Sequence, residues 1–310
     1  DLDGTLVKLD TLHQALFLLL RRNPTALFSL PHWIQQGRAF TKNEVARRIA
    51  LHAEHLPYNH ALLDYLRQEK KNGRRIILVT AANYRTAESV AAHIGLIDEI
   101  LASTETHNLF GTAKRDALVE RFITFDYAGD SLSDLPVWQV ARQKILVNPS
   151  HQARKAQPAD LLIEDRQPLR RILPHMLPLH HWVKNLLIFS PLLLAHRLND
   201  TLALTQALLA FIAFSLVASA IYIINDLLDL SADQTHPRKK HRPFAAGDLQ
   251  LIQGVRLIPV LLLGALLIST LLPIVFSGIL LLYLLFTTLY SIWVKKLFAW
   301  DVLMLTGLYT

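Results

Sequence analysis

The chain has 310 residues, a formal net charge of +7 and no cysteine, which excludes disulfide bonds and thiolate metal sites. Its basic residues cluster beside apolar stretches, which favours a membrane protein with positive inner loops and argues against a nucleic-acid partner. Residues 1–176 mix charged and apolar residues, whereas the sequence from residue 182 onward is mostly apolar. This change predicts two domains in different solvents, at residues 1–168 and 182–310, with a linker over 169–181.

The first domain opens on an acidic turn of the pattern D-x-D-G-T at residues 1–5, and three further features follow it in order. A predicted buried strand ends on the hydroxyl of Thr80. Lys114 stands at the start of a predicted amphipathic helix. A short predicted strand then leads into Asp130 and Asp134. Each polar group therefore stands at the end of a predicted strand or at the start of a predicted helix.

This order of motifs resembles that of the haloacid dehalogenase (HAD) phosphatases, which implies an α/β Rossmann-like domain with a helical cap over residues 11–60. By resemblance, Asp1 would attack phosphorus, and Asp3 would protonate the leaving oxygen and later activate water. Thr80 and Lys114 would hold the phosphoryl oxygens. The implied cofactor is Mg²⁺, with ligands from Asp1, the backbone carbonyl of Asp3, Asp130 and Asp134.

The start of the chain departs from the family pattern. The HAD nucleophile follows a central apolar strand, and this chain begins where that strand should end. We therefore expect a sheet that lacks its middle strand. Because the chain also stops at Thr310 within an apolar run, we expect it to be a piece of a longer protein, truncated at both ends.

The predicted cap is unusually apolar. Residues 12–20 and 26–33 are rich in Leu, Phe and Ala, and they are flanked by Arg21, Arg22 and Arg38. We favour the interpretation that these stretches form a buried helical core. The alternative is that the cap leans on a membrane surface to reach a lipid-linked phosphate.

The second domain has several candidate membrane spans. Residues 186–195 form a short first candidate with Trp182 as an interfacial anchor, and residues 201–224 form a second. The uncharged run 257–294 would be ~57 Å long as one helix, about twice the ~30 Å of a hydrocarbon core, so we expect two spans there, and a fifth near Trp300. The positive-inside rule then places residues 229–256 in the cytoplasm.

An acidic segment follows the second candidate span. On one helix, Asn225, Asp229 and Asp233 would share a face, with Asp226 one step around it. Such carboxylates suit Mg²⁺ that also holds a diphosphate. The basic run 236–243 comes next and could contact phosphate oxygens.

This segment resembles the first aspartate-rich motif, N-D-x-x-D-x-x-x-D, of the UbiA-type intramembrane prenyltransferases, an all-α multi-span fold. The continuation is most similar to the decaprenyl-phosphate phosphoribosyltransferase branch. Enzymes of that branch transfer phosphoribose from phosphoribosyl pyrophosphate to a polyprenyl phosphate. Mg²⁺ bridges the leaving diphosphate to the aspartates. The resemblance implies metal ligation by Asn225, Asp226, Asp229 and Asp233, and substrate binding by Lys184, Asn185, Lys239 and Arg242. The second aspartate-rich motif would lie beyond residue 310, so the transmembrane domain is expected to be incomplete.

We therefore predict a multi-pass protein of the bacterial inner membrane with its HAD domain in the cytoplasm. The leading hypothesis is phosphoribosyl transfer to a polyprenyl phosphate, followed by removal of a phosphate from the product by the HAD domain. The alternative is attachment of a polyprenyl diphosphate chain to an aromatic acceptor, with the HAD domain as a non-catalytic regulatory module.

Overall fold

The computed structural model describes residues 1–176 and 179–292. The chain divides into two compact units that alternate along the sequence. The first unit consists of Asp1–Pro168 and Leu230–Leu251, and the second of Leu169–Asp229 and Ile252–Thr310. The fifth span expected near Trp300 lies outside the described residues. The predicted domain boundaries stay a prediction.

The strands of the first unit are short and parallel. They form two separate sheets, one with the order β1-β2 and one with the order β3-β4-β5. Their bounds are β1 (Ile77–Asn83), β2 (Glu99–Ser103), β3 (Tyr127–Gly129), β4 (Lys144–Val147) and β5 (Leu161–Ile163). A cavity of about 370 Å³ is lined by residues of both sheets, including Leu78, Val79, Ala128 and Ile145. The lack of a middle strand and the Rossmann-like architecture both stay predictions.

Helices separate the strands along the chain and cover them. In chain order they are α1 (Thr11–Arg22), α2 (Ala26–Gln35), α3 (Arg38–Arg48), α4 (His60–Lys71), α5 (Tyr84–Ile94), α6 (Thr112–Arg121), α7 (Leu135–Trp138) and α8 (His151–Ala156). Side-chain caps explain several starts: Asp10 accepts a hydrogen bond from the amide of His13, and Asn59 accepts one from the amide of Leu62. These caps satisfy amides that have no partner within the helix.

Two apolar cores hold the first unit together. Helices α1, α2 and α3 pack around Leu18, Leu19, Trp33 and Val45, so the apolar stretches of the predicted cap do form a helical core. The second core fills the space around β1, β3 and β4 and contains the fully buried Trp138. The elements that carry the acidic motifs therefore rest on a packed interior.

The second unit is helical and apolar. Its helices are α9 (Leu169–Met176), α10 (Leu179–Asn185), α11 (Ser190–Leu194), α12 (Thr201–Leu228), α14 (Leu251–Ser269) and α15 (Ile274–Ile292), whereas α13 (Leu230–Thr235) belongs to the first unit. Among the described residues, α12 and α14 are long and apolar enough to cross a membrane. The uncharged run 257–294 is broken at residues 270–273, which confirms that it is not one helix. The first candidate span at 186–195 consists of a short 3₁₀ turn followed by the five-residue α11, and it is part of a shorter apolar helix over Trp182–Leu194.

Candidate functional site

Three carboxylates and one ammonium group meet in the first unit. The carboxylates of Asp1, Asp130 and Asp134 offer oxygens that all lie within 4.8 Å of one another. Lys114 Nζ lies 2.9 Å from Asp1 Oδ2 and 3.1 Å from Asp134 Oδ1, and its side chain is 2% exposed. Asp130 and Asp134 follow β3, and Lys114 stands in the first turn of α6. We call these four residues the carboxylate–lysine cluster.

Local backbone geometry makes this close approach possible. Gly4 has a φ of +75°, in the region that favours glycine, and a Cβ atom there would lie 2.3 Å from Asp130 Oδ2. The carboxylate of Asp134 is held from its own loop, because Oδ2 accepts hydrogen bonds from the amides of Asp130 and Ser131 at 3.2 Å each. The acidic turn that contains Asp134 therefore holds this carboxylate with its own amides, and Gly4 leaves room for Asp130.

The neighbouring carboxylates ionise differently. Burial opposes ionisation of Asp134, but the positive charge of Lys114 and a 2.7 Å hydrogen bond from Tyr127 outweigh burial and lower its pKa. Burial and then the negative charge of Asp134 raise the pKa of Asp130 from 3.8 to about 7. Lys114 thus pairs with Asp1 and Asp134, and the positive charges of Arg166 and Lys114 only partly offset the effects that raise the pKa of Asp130. Carboxylate oxygen donors fit a divalent cation such as Mg²⁺.

Asp3 points toward the cap side of the turn. Its Oδ1 accepts a hydrogen bond from the amide of Thr11 at 2.8 Å. Burial, followed by the charge of Asp10, raises the pKa of Asp3 to about 6. A carboxyl group with a pKa in this range can donate a proton and accept it back near neutral pH, which is what an acid–base catalyst needs.

Lys42 is a candidate site residue that sequence reasoning missed. It lies in cap helix α3, and its Nζ donates to the carbonyl of Ala81 at 2.5 Å and to Asn108 Oδ1 at 3.1 Å. Burial lowers its pKa, while the charges of Asp3 and Asp10 oppose that effect. A lysine on a mixed helix is usually read as solvent-facing, so the sequence offered no signal for this position.

Thr80 lies fully buried in β1, and its hydroxyl accepts a hydrogen bond from the amide of Ala82 at 3.0 Å. The backbone carbonyl after it, at Ala81, is the acceptor for Lys42. The hydroxyl therefore has a local partner, and its role in holding a phosphoryl oxygen stays a prediction.

The aspartate-rich segment is not one continuous helix. Helix α12 ends at Leu228, Asp229 is its C-cap, and α13 starts at Leu230. The expected single helical face through Asn225, Asp229 and Asp233 is therefore wrong, because the chain leaves the second unit after Asp229 and buries Leu230 in the first. Asn225, Asp226 and Asp229 belong to the second unit and Asp233 to the first, and their joint metal site stays a prediction.

Asp233 is paired with the basic run that follows it. Its side chain is 3% exposed, and Arg242 Nη1 lies 2.8 Å from Asp233 Oδ2. Lys239 Nζ lies 3.9 Å from Asp233 Oδ1 and is more exposed. A buried carboxylate requires such a partner, since an unpaired charge in the interior is costly. The acidic and basic ends of the segment are thus joined within the first unit.

The segment Leu230–Leu251 packs against the residues that precede it in the first unit. Gln14 and Gln234, both buried, pair through their side-chain amides at 2.7 Å, and Gln250 Nε2 donates to the carbonyl of Lys8 at 2.9 Å. Gly247 has a φ of +74°, and a Cβ atom there would lie 2.5 Å from Lys8 Cβ. Phe244, Leu249 and Leu251 are buried as well. We call this part of the chain the docked segment.

The two predicted substrate-binding residues before α11 lie at the end of α10, in the second unit. Lys184 is exposed. Asn185 Nδ2 donates to Ser215 Oγ of α12 at 2.9 Å, and the indole of Trp182 donates to Ser219 Oγ at 3.1 Å. These bonds tie α10 to α12. Substrate binding by Lys184 and Asn185 stays a prediction.

Fold and site together define a two-part protein, with an α/β unit that carries a carboxylate–lysine cluster and a helical unit with membrane-length apolar helices. Residues 1–139 match the family model of the haloacid dehalogenase-like hydrolases, and residues 186–309 match that of the UbiA prenyltransferase family. The chain thus joins a HAD domain to a UbiA domain, as the sequence motifs predicted.

Relatives extend this relationship. The chain is 36% identical over 318 residues to the uncharacterized protein y4nM of Sinorhizobium fredii, a match that covers 100% of this chain and 61% of that protein. A 76-residue stretch is 49% identical to the nodulation protein NoeC of Azorhizobium caulinodans and covers 24% of each protein. A 70-residue stretch is 44% identical to the decaprenyl-phosphate phosphoribosyltransferase of Mycobacterium tuberculosis, covering 21% of this chain and 23% of that enzyme.

Proposed function

We propose that the chain is part of a UbiA-type membrane transferase that moves phosphoribose from phosphoribosyl pyrophosphate to a polyprenyl phosphate. The HAD domain would then act as a Mg²⁺-dependent phosphatase that removes the 5-phosphate from the lipid-linked product. The observation that carries the phosphatase half is the carboxylate–lysine cluster. The transferase half rests on the 44% identity to a decaprenyl-phosphate phosphoribosyltransferase over 70 residues.

The phosphatase chemistry starts at Asp1. Its carboxylate attacks phosphorus and forms an aspartyl-phosphate while Asp3, with its pKa raised to about 6, gives its proton to the leaving alcohol oxygen. Asp3 then takes a proton from water, which hydrolyses the acyl phosphate and releases inorganic phosphate. Lys114 holds a phosphoryl oxygen throughout. Asp1 and Asp130 would hold the Mg²⁺, which when bound offsets the charge of the phosphate oxygens.

The transferase chemistry would use the aspartate-rich segment. Asn225, Asp226, Asp229 and Asp233 would hold Mg²⁺ with the diphosphate of the donor. The phosphate oxygen of the lipid attacks the anomeric carbon of ribose, and diphosphate leaves. The substrate phosphates would be contacted by Lys184, Asn185, Lys239 and Arg242. The pair between Asp233 and Arg242 supports this proposal, because a guanidinium that could contact phosphate lies beside a carboxylate that could bind Mg²⁺.

The positions of the basic residues also support a cellular location. Basic residues 238–242 and Arg256 flank the ends of apolar helices, which by the positive-inside rule favours a multi-pass protein of the bacterial inner membrane with its HAD domain in the cytoplasm. On that side the domain meets a soluble sugar-phosphate donor and a lipid headgroup.

A single product analysis tests both halves. The complete protein is incubated with phosphoribosyl pyrophosphate, polyprenyl phosphate and Mg²⁺, and the lipid product is identified by mass spectrometry. We expect lipid-linked ribose without a 5-phosphate from the wild type and with that phosphate from Asp1→Asn. No lipid-linked ribose at all would refute the transferase proposal. Lipid-linked phosphoribose from the wild type would refute the coupled phosphatase.

The alternative reaction is attachment of a polyprenyl chain to an aromatic acceptor, with the HAD domain as a regulatory module. The matching family is described as prenyltransferases, which favours this chemistry. Supplying a polyprenyl diphosphate and an aromatic acid instead distinguishes the two reactions. Prenylated acid as the product, with no transfer from phosphoribosyl pyrophosphate, would establish the alternative.

A further inference from the structure

Helix α2 of the cap exposes a continuous apolar stripe. Phe28 is 85% exposed, Ile34 64% and Leu27 55%. Pro31 is exposed as well, so the apolar positions 27, 28, 31 and 34 follow the spacing of one helical face, and the exposed Pro24 lies in the turn before α2. Single exposed apolar side chains are ordinary, but a contiguous stripe of this kind marks a surface that contacts something else.

The cap core does not need these side chains. The opposite face of α2 supplies Ala26, Leu30 and Trp33 to the apolar core of the cap. Trp33 is also covered by Arg48, whose guanidinium lies 4.5 Å from the ring centre. The apolar character of the outer face is therefore additional to what holds the helix in place.

The sequence on either side of the stripe is positively charged. The sequence has no Asp or Glu between Asp10 and Glu44, while it has Arg21, Arg22, Arg38 and Lys42 in that interval. Arg22 and Arg38 are exposed and stand before and after α2, and Arg38 also lies 6.0 Å from the ring of Phe110. An apolar stripe with a cationic residue before and after it is complementary to a bilayer surface that carries anionic headgroups.

We propose that α2 docks on the surface of a membrane that contains anionic lipids. Leu27, Phe28 and Ile34 enter the boundary between headgroups and acyl chains, and Arg22 and Arg38 contact lipid phosphates. The chain itself argues for this occupant, because α12 and α14 are long enough to cross a bilayer and tether the cap close to one. Docking would keep the HAD domain close to the lipid headgroups. The proposal does not depend on which reaction the UbiA domain performs.

Lipid contact can be measured directly at α2. The full protein carrying Phe28→Cys, labelled with an environment-sensitive fluorophore, is reconstituted into bilayers that contain phosphatidylglycerol and spin-labelled quencher lipids. The 310 residues of the chain contain no cysteine, so they add no background labelling. Ile123→Cys is the matched control, because Ile123 is fully exposed in the same unit but lies far from α2 in the sequence.

We expect strong quenching and a blue-shifted emission at position 28 and neither at position 123. Ile34→Cys provides a second label on the stripe in case the first variant folds poorly. Arg22→Gln should lower the ratio of docked to undocked cap about fivefold, and salt should weaken docking further. Unquenched emission at both 28 and 34 would overturn the proposal. A blue shift without lipid quenching would overturn it too, because it would show a protein surface on the stripe.

Discussion

Replacing Lys114 by methionine tests whether the carboxylate–lysine cluster depends on one ammonium group. Lys114 is buried, contacts Asp1 and Asp134, and donates to the hydroxyl of Tyr127 at 2.9 Å. Methionine preserves much of the side-chain volume and removes only the charge and its hydrogen bonds. Asp1 and Asp134 would then lose the cation with which both are paired.

The expected cost follows from this geometry. Removing one partner of a buried ion pair typically costs ~3–5 kcal/mol, because the remaining charge loses its compensation. For a unit of this size, each kcal/mol lowers the melting temperature by about 2–4 °C. We therefore expect the first unit of Lys114→Met to melt roughly 6–20 °C lower than that of the wild type. Tyr127→Phe is the matched control, since it removes only the hydroxyl that donates to Asp134, at a cost of ~1 kcal/mol.

Hydrogen exchange provides the readout. Peptides that cover residues 112–138 report on this unit alone, and their exchange is followed against temperature with and without Mg²⁺. Added Mg²⁺ should recover more stability in Lys114→Met than in the wild type, because the cation takes over the charge compensation. If Lys114→Met melts no lower than Tyr127→Phe, the ammonium does not hold the cluster together and the electrostatic argument fails.

Three further outcomes are expected. Without divalent metal, the stability of the first unit should fall as pH rises from about 4 to about 7. The pKa values of Asp130 and Asp3 are raised in the folded state, so the folded state binds more protons than the unfolded state in this interval, and a urea midpoint that rises with pH would contradict this. Gly4→Ala should abolish hydrolysis of a generic phosphate ester, whereas Gly95→Ala, also at positive φ but with open space around it, should keep the activity and lose only ~1–2 kcal/mol of stability. Gly247→Ala should increase hydrogen exchange across residues 230–251 relative to Gly95→Ala, since its Cβ would collide with a neighbouring side chain; unchanged exchange would argue against tight docking of that segment.

Short-range patterns predicted the polar groups of the HAD site. Asp1, Lys114, Asp130 and Asp134 were singled out by their resemblance to the HAD motifs, and the structure brings their side chains together. This works because each motif sits at the end of a strand or the start of a helix, where local turn geometry decides where the side chain points. Their catalytic and metal-binding roles stay predictions.

The same reasoning missed Lys42 and extended a helix too far. Lys42 gains its place from burial between α3 and the end of β1, which involves partners 39 and 66 residues away. The helical spacing from Asn225 to Asp233 predicted one helical face. The structure instead ends α12 at Leu228 and starts α13 at Leu230, which is buried and belongs to the other unit. Helical periodicity shows which residues could share one face of a helix, but it does not show where tertiary contacts end that helix.

Sequence alone showed that this protein has two parts of different hydropathy, and that one carries HAD motifs and the other a UbiA motif. These properties depend on hydropathy and residue order, which act over a few residues. Only the tertiary structure decided that Leu230–Leu251 packs with the HAD domain. This packing depends on contacts such as the pair between Gln14 and Gln234, which are 220 positions apart. No local pattern encodes such a contact, because its free energy arises from burial that exists only once both parts have folded.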